Sequence, residues 1–283
     1  MNQRGDEFMN QLLINREECQ KDGLCVAACP LGLIVLHKED GFPAYITKGA
    51  AAACIACGHC MAVCPHGALS LTGVLAGDCP PVQKELLPTP EQVRHLLLSR
   101  RSIRAYQDRP ADRAVLQEII NVAAYAPSGH NIQPVHWIVV EEREQVRQLS
   151  ALVVDWMSEL MREQPDMAKA MNLEQIVKAC TKGVDRICRQ APHVVLVHGQ
   201  GDNPMVQPAC TIALTYLELA AYGFGLGACW AGYLGAAAAG YPPLRQHLQL
   251  PAAHKVFGAM LLGYPKVKYY RVPLRVSPRI SWQ

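Results

Sequence analysis

Cys54-Ile55-Ala56-Cys57-Gly58-His59-Cys60-Met61-Ala62-Val63-Cys64-Pro65 is the stretch on which the reading of the fold turns. Its spacing is C-x2-C-x2-C-x3-C-P. An upstream run, Cys19-Gln20-Lys21-Asp22-Gly23-Leu24-Cys25-Val26-Ala27-Ala28-Cys29-Pro30, has the same frame with aspartate in the second ligand place. A single tetrahedral zinc ion takes four ligands, and these frames supply too many too close together. Disulfides fit poorly, because the N-terminus lacks a basic region followed by an apolar one and the chain's length needs no staple. Thiolate ligation of iron–sulfur groups is the chemistry left, and it implies electrons moved one at a time.

The double frame resembles that of bacterial two-cluster ferredoxins. The resemblance implies a crossed arrangement, with one cluster on Cys19, Asp22, Cys25 and Cys64 and the other on Cys54, Cys57, Cys60 and Cys29. A carboxylate is a harder ligand than a thiolate and holds its iron less tightly. The Asp22 site is thus either a [4Fe-4S] cluster with one oxygen-ligated iron or a [3Fe-4S] cluster with that corner lost. Asp22 also reads as an ordinary turn residue before Gly23, and both readings stay open. Apolar residues flank an Asp40-Gly41 turn between Leu33 and Thr47, which predicts a hairpin between the cysteine runs. His59 and His66 are expected to face outward.

The chain has 283 residues, of which 50% are hydrophobic, enough for one small and one medium domain. A net charge of +3 is too weak to argue for nucleic acid or an anionic membrane. Free thiols fit a reducing, cytoplasmic setting. Leu219–Gly240 carries no charge and is long enough to cross a bilayer, but five glycines interrupt it, and a broken element buried in protein explains it better. The apolar run Thr211–Tyr222 before it reads as a buried or interface helix with Gly223 as its stop. The expected domains are 1–75, a small ferredoxin-like unit; 76–89, a proline-punctuated linker; and 90–283. Thr89, Pro90 and Gln92 carry the signals of a capped helix start running to about Arg100. Helices are expected at 112–124, 142–162, 166–190 and 244–250, with strands at 136–141, 193–198 and 256–263. That pattern is an α+β sandwich around a modest sheet.

Three segments of this second part resemble the nitroreductase family: Ser99-Arg100-Arg101-Ser102-Ile103-Arg104-Ala105-Tyr106, Ala126-Pro127-Ser128-Gly129-His130-Asn131-Ile132-Gln133-Pro134, and Gly263-Tyr264-Pro265 through Arg271-Val272-Pro273. The resemblance implies noncovalent FMN at the interface of a homodimer. It assigns Arg100, Arg104 and Arg271, with Ser102 and Arg101, to the FMN phosphate, for which guanidinium forks are suited; Arg101 reads equally as a solvated charge. It assigns Pro127, Ser128, Gly129, Asn131 and Gln133 to the ring edge and ribityl chain, and the backbone near Ala231 and Gly232 to the ring. The family's basic residue two places before Arg271 is here Tyr269, and its frequent glutamate is here Ala231. Gly223-x-Gly225-x-Gly227 follows a helix and is no dinucleotide fingerprint.

The two halves together imply an FMN-dependent oxidoreductase fed through two iron–sulfur clusters, reducing a small aromatic, nitro, quinone or enone acceptor. NAD(P)H or a reduced ferredoxin is the expected donor. An electron-transfer adaptor between FMN and a partner protein is the alternative, and a redox sensor at the Asp22 site a third. His130 and Tyr233 are weak proton-donor candidates, and no catalytic residue is assigned.

Overall fold

The computed structural model describes residues 10–283, which fall into two compact units. The first comprises the chain up to Leu87 together with His130–Ile132. Its elements are β1 (Leu12–Ile14), α1 (Leu24–Ala28), β2 (Ile34–Leu36), β3 (Pro43–Tyr45), α2 (Ala50–Ala53), α3 (His59–Ala62) and β4 (Leu69–Leu71). Strand β1 pairs antiparallel with β4, Leu12 opposite Leu71, and β2 with β3 as the expected hairpin, Ile34 opposite Tyr45. The small core is Ile34, Leu69, Leu71, Met61, Cys25 and Cys60. So few apolar residues make a marginal core, the situation in which a bound inorganic group supplies stability.

The two cysteine runs fold alike. Gly23 (φ 73°) and Gly58 (φ 74°) each stand in the left-handed region and head the helices α1 and α3. Two residues earlier, Lys21 (φ 56°) and Ala56 (φ 48°) are also left-handed. The repeated backbone puts Asp22 and Cys57 in equivalent places, and Cys25 and Cys60 in the first turns of equivalent helices. The following segment, 76–87, holds two short 3-10 turns and is largely exposed.

The second unit contains α4 (Pro90–Ser99), α5 (Arg113–Ala123), β5 (His136–Val140), α6 (Arg143–Glu163), α7 (Pro165–Ala170), α8 (Leu173–Thr181), β6 (His193–Gln200), α9 (Val206–Gly223), β7 (Gly227–Trp230), α10 (Gly232–Gly240), α11 (Pro242–His247) and β8 (His254–Gly263). Its sheet is antiparallel throughout, in the order β5-β6-β8-β7. Both faces are covered. Val194 and Leu196 pack with Leu149, Val153 and Met157 of α6 and with α10, while Val195 and Val197 pack with Leu116 and Ile119 of α5 and with Leu214 and Leu217 of α9. The period-2 alternation thus divides one apolar run between two layers. Each fully buried side chain of this kind stabilises by about 1.5–3 kcal/mol.

Thr89 caps α4 as expected, its Oγ1 accepting from the Gln92 amide at 3.2 Å while Gln92 Oε1 accepts from the Thr89 amide at 2.8 Å. Other boundaries differ. The helix expected over 166–190 is two helices ending at Thr181. Asn172 (φ 55°) breaks it, and Gly183 (φ 83°) closes it, the Val184 amide donating to Ala179 O and the Gly183 amide to Cys180 O. Helix α9 ends at Gly223 as expected, and the left-handed closing residue is Gly225 (φ 72°), where the Leu226 amide donates to Ala221 O and the Gly225 amide to Tyr222 O. The helix expected at 244–250 starts earlier, at Pro242, and ends at His247, with Gln249 (φ 51°) in the same kind of closure. The uncharged stretch 219–240 divides among the end of α9, β7 and α10, and among the described residues no helix is long and apolar enough to cross a membrane.

Residues 100–106 run along the outer edge of β7, the Ile103 amide donating to Ala228 O at 2.9 Å. Gly227 permits this approach, since a Cβ there would lie 2.2 Å from Ile103 Cγ1. Gly227→Ala is therefore expected to destabilise the fold by about 1–3 kcal/mol through overpacking. An unchanged denaturation midpoint in urea would show that the segment yields freely.

Candidate functional site

Two cavities in the first unit are lined by the cysteines. One is bounded by Cys19, Asp22, Cys25 and Cys64. The other is bounded by Cys29, Cys54, Cys57 and Cys60. Each therefore takes three donors from one run and one from the other, because the chain leaves α1 at Cys29 and α3 at Cys64 toward the opposite cavity. Among the described residues no three His, Cys, Asp or Glu side chains converge as a single ion requires. Four donors around a space, rather than at a point, suit a multi-iron group better than one tetrahedral metal.

Burial in these cavities opposes ionisation of two of the thiols, Cys25 and Cys60. Burial pushes the Cys60 thiol up to about 11, with Cys54 adding to the rise, and burial raises Cys25 as well. A metal's positive charge would reverse this and hold them as thiolates. Cys29 Sγ accepts from the Leu33 amide at 3.3 Å, the kind of hydrogen bond that tunes a ligating sulfur. Asp22 Oδ1 accepts from the Leu24 amide at 3.0 Å, so the aspartate shapes the turn while also bounding its cavity. His59 is exposed, as expected; His66 is exposed too but also borders the Asp22 cavity, so it does not simply face outward.

The second unit has a cleft of about 580 Å³. Arg100, Arg101 and Arg271 line it, with Glu218, Tyr222 and Lys268. Arg100 Nη1 meets Glu218 Oε1 at 2.7 Å, and Glu218 is a buried carboxylate, the one charged residue of α9. The Arg101 guanidinium lies over Tyr269 at 6.0 Å, the position where the resemblance led one to expect a basic side chain.

Of the residues assigned to the phosphate, Arg104 and Ser102 do not line the cleft. The segment after α4 is extended, so side chains alternate: Arg101 and Ile103 reach the cleft, and 102 and 104 do not. Arg104 instead approaches Cys229, where its charge opposes the upward push that burial exerts on the thiol. The Ala231 amide is occupied, donating to Ala259 O at 2.9 Å, whereas Gly232 heads α10.

The loop of the second signature is strained. His130 (φ 51°), Asn131 (φ 54°) and Gln133 (φ 44°) are all left-handed without being glycine, and such strain persists only where surroundings enforce it. The Gln133 amide donates to Ser128 Oγ at 3.0 Å, and a Cβ on Gly129 would lie 3.0 Å from Met205 Sδ. Pro127 is exposed on the same loop. Asn131 belongs to the first unit, where its Nδ2 donates to Ala56 O at 3.0 Å and Ile55 O at 3.2 Å. His130 is exposed, and Tyr233 packs partly buried against the core. Glu218, Tyr222 and Lys268 escaped the sequence reading; a lone carboxylate inside an otherwise uncharged helix was the signal for the first.

Residues 97–264 match the nitroreductase family model, and residues 17–69 match a 4Fe-4S dicluster domain. A protein of Archaeoglobus fulgidus, provisionally named NADH dehydrogenase/NAD(P)H nitroreductase, is 28% identical over 200 residues, spanning 66% of this chain and 95% of its own. One of the same name from Methanothermobacter thermautotrophicus is 28% identical over 179 residues, spanning 61% and 77%. Among solved structures, a nitroreductase with bound FMN from Bacteroides fragilis superposes with a TM-score of 0.54 at 23% identity, covering 67% of this chain and 99% of that one. A BluB-like flavoprotein from Clostridium difficile also gives 0.54, at 19% identity, covering 67% and 99%. Both show the α+β fold of the second unit.

Removal of the Glu218 carboxylate leaves the half-buried Arg100 guanidinium without its counter-charge. Glu218→Ala is expected to cost about 2 kcal/mol of stability, part of which the double variant Glu218→Ala/Arg100→Ala regains. Equal urea midpoints for wild type and Glu218→Ala would refute this.

Proposed function

Because the chain belongs to the nitroreductase family and carries an N-terminal dicluster domain, we propose that it is an FMN-dependent oxidoreductase. It receives electrons singly through two iron–sulfur clusters and passes them to a small aromatic, nitro, quinone or enone acceptor. The observation that carries this reading is the pairing of two four-donor cavities with an arginine-lined cleft in one chain.

The residues present fit both groups. Cys19, Cys25 and Cys64, with Asp22, bound one cluster cavity, and Cys29, Cys54, Cys57 and Cys60 the other. With Asp22 Oδ1 engaged by the Leu24 amide, Oδ2 is the oxygen left to face an iron. In the cleft, Arg100, Arg101 and Arg271 present forked donors to a phosphate dianion. Glu218 cancels one of those charges and fixes the Arg100 fork, leaving its other N–H groups to bind. Bound FMN supplies the interchange between one-electron and two-electron chemistry. The exposed face of Trp230 offers a surface on which a flat acceptor can stack.

A homodimer is part of the proposal. After Gly263 the chain forms no further helix or strand and carries Tyr270, Leu274, Val276 and Trp282 at 86–98% exposure. Large apolar side chains in such a row are costly in water and mark an interaction surface, which a second copy of the chain would cover. Size-exclusion chromatography with light scattering tests this; truncation after Pro273 is expected to shift the species toward monomer.

Anaerobic reconstitution tests the whole reading. It should yield FMN together with about eight iron and eight sulfide per chain, or about seven iron if the Asp22 corner is lost. Zinc without sulfide would remove the relay, and absence of FMN would remove the enzyme. Cys29→Ser is expected to abolish the same electron paramagnetic resonance signal as Cys54→Ser, and Cys64→Ser the same one as Cys19→Ser. Pairing by run instead would disprove the crossed arrangement. Turnover of a nitroaromatic or quinone with NAD(P)H, against turnover with reduced ferredoxin, identifies the donor. Loss of turnover with only one donor in a variant lacking both clusters identifies which one enters through them.

A further inference from the structure

Three imidazoles meet at one end of the sheet in the second unit, and none lines the arginine cleft. His136 opens β5, His198 lies in β6 directly opposite it, and His254 opens β8. The ring centroids of His136 and His254 are 4.8 Å apart, those of His198 and His254 5.1 Å, and those of His136 and His198 5.2 Å. His198 Nδ1 and His254 Nδ1 face each other at 2.9 Å. His193, at the start of the same strand as His198, is different. Its Nε2 accepts from the Ala111 amide at 2.8 Å, which puts the ring hydrogen on Nδ1, 3.1 Å from Glu141 O. Both of its nitrogens are thus spent on the fold. Among the described residues, no group outside the trio hydrogen-bonds to the ring nitrogens of His136, His198 or His254.

We propose that His136, His198 and His254 form a three-imidazole site for a divalent transition-metal ion of the zinc class, with a fourth position open to water. Imidazole is a preferred ligand of such ions. Zinc–nitrogen bonds of about 2.0–2.1 Å at tetrahedral angles separate two ligating nitrogens by roughly 3.3 Å. The facing Nδ1 atoms of His198 and His254 are within a few tenths of an ångström of that spacing. The three rings do not converge on one point as they stand; binding would require the exposed His136 ring to turn about its side-chain torsions toward the other two. Three adjacent, paired strands fix the backbone positions, and Arg245 Nη2 pins the carbonyl of His254 at 3.1 Å. A site on rigid elements loses little order on binding. The partly exposed His136 and His254 leave the fourth direction to solvent. This site stands independently of the flavin and cluster reading.

The test is Zn2+ uptake by the full chain, holding its clusters and flavin, in competition with a chromogenic chelator. The comparison protein is the triple variant His136→Ala/His198→Ala/His254→Ala. The wild type is expected to take up about one more Zn2+ per chain than the triple variant, and each single variant to bind at least about tenfold more weakly. Equal uptake and affinity in wild type and triple variant overturns the proposal. If loss of the buried His198 unfolds the chain, His136→Ala and His254→Ala decide by the same readout, and unchanged affinity in both overturns it.

Discussion

Cys29 and Cys64 each abandon their own run to complete the donor set of the other, and the first unit depends on that exchange. Without it, the two runs would be separate loops with three donors apiece and a core of only a few apolar residues. The exchange requires the chain to turn sharply after α1 and after α3, which the following prolines, Pro30 and Pro65, enforce. It also requires Gly23 and Gly58 to adopt the left-handed backbone that brings Cys25 and Cys60 inward. Donors held this way have little freedom to pair as disulfides, and all twelve cysteines are free thiols. Burial makes the Cys25 and Cys60 thiols resist ionisation, a cost that a bound metal would recover by stabilising the thiolates.

Asp22 illustrates how one residue serves two constraints. Its counterpart in the repeated backbone is Cys57, so the chain places a donor there whether it is sulfur or oxygen. An aspartate can also accept the Leu24 amide and hold its own turn, which a thiol does poorly. Aspartate thus strengthens the loop and, on the proposed reading, would hold an iron there less tightly than a thiolate. A variant Asp22→Cys is expected to do the reverse.

Much of this architecture was legible in the residues because its signals are local. The capping box at Thr89, the hairpin around Asp40-Gly41 and the alternating run of β6 depend on near neighbours, and each appears where the pattern places it. Gly223 and Gly225 both suit a helix end; the helix ends at the first, and the partners for the Ala221 and Tyr222 carbonyls make the second its left-handed closure. The error over 166–190 arose where a local signal met a distant one. Residues 182–190 have helical composition, yet Asp185 draws the amides of Ile187, Cys188 and Gln190 and the hydroxyl of Ser150 onto its carboxylate. That network includes a residue on α6 far away in sequence, so no window of local sequence contains it.

The arginines show a further limit of reading a motif as a set. Arg100, Arg101 and Arg104 look equivalent in the string, but they leave the backbone in different directions once the segment is extended along β7. Alternation sends Arg101 into the cleft and Arg104 toward Cys229. The helix end at Arg100 adds a residue that alternation alone would not have chosen, and Glu218 then holds it. A buried carboxylate is costly unless paired, and so is a half-buried guanidinium. Their pairing makes each tolerable and gives the Arg100 fork one orientation. A fork oriented before an anion arrives forfeits less side-chain freedom on binding than a free one. On the proposed reading, the apparent competitor for Arg100 would thus be the group that prepares its fork for an anion.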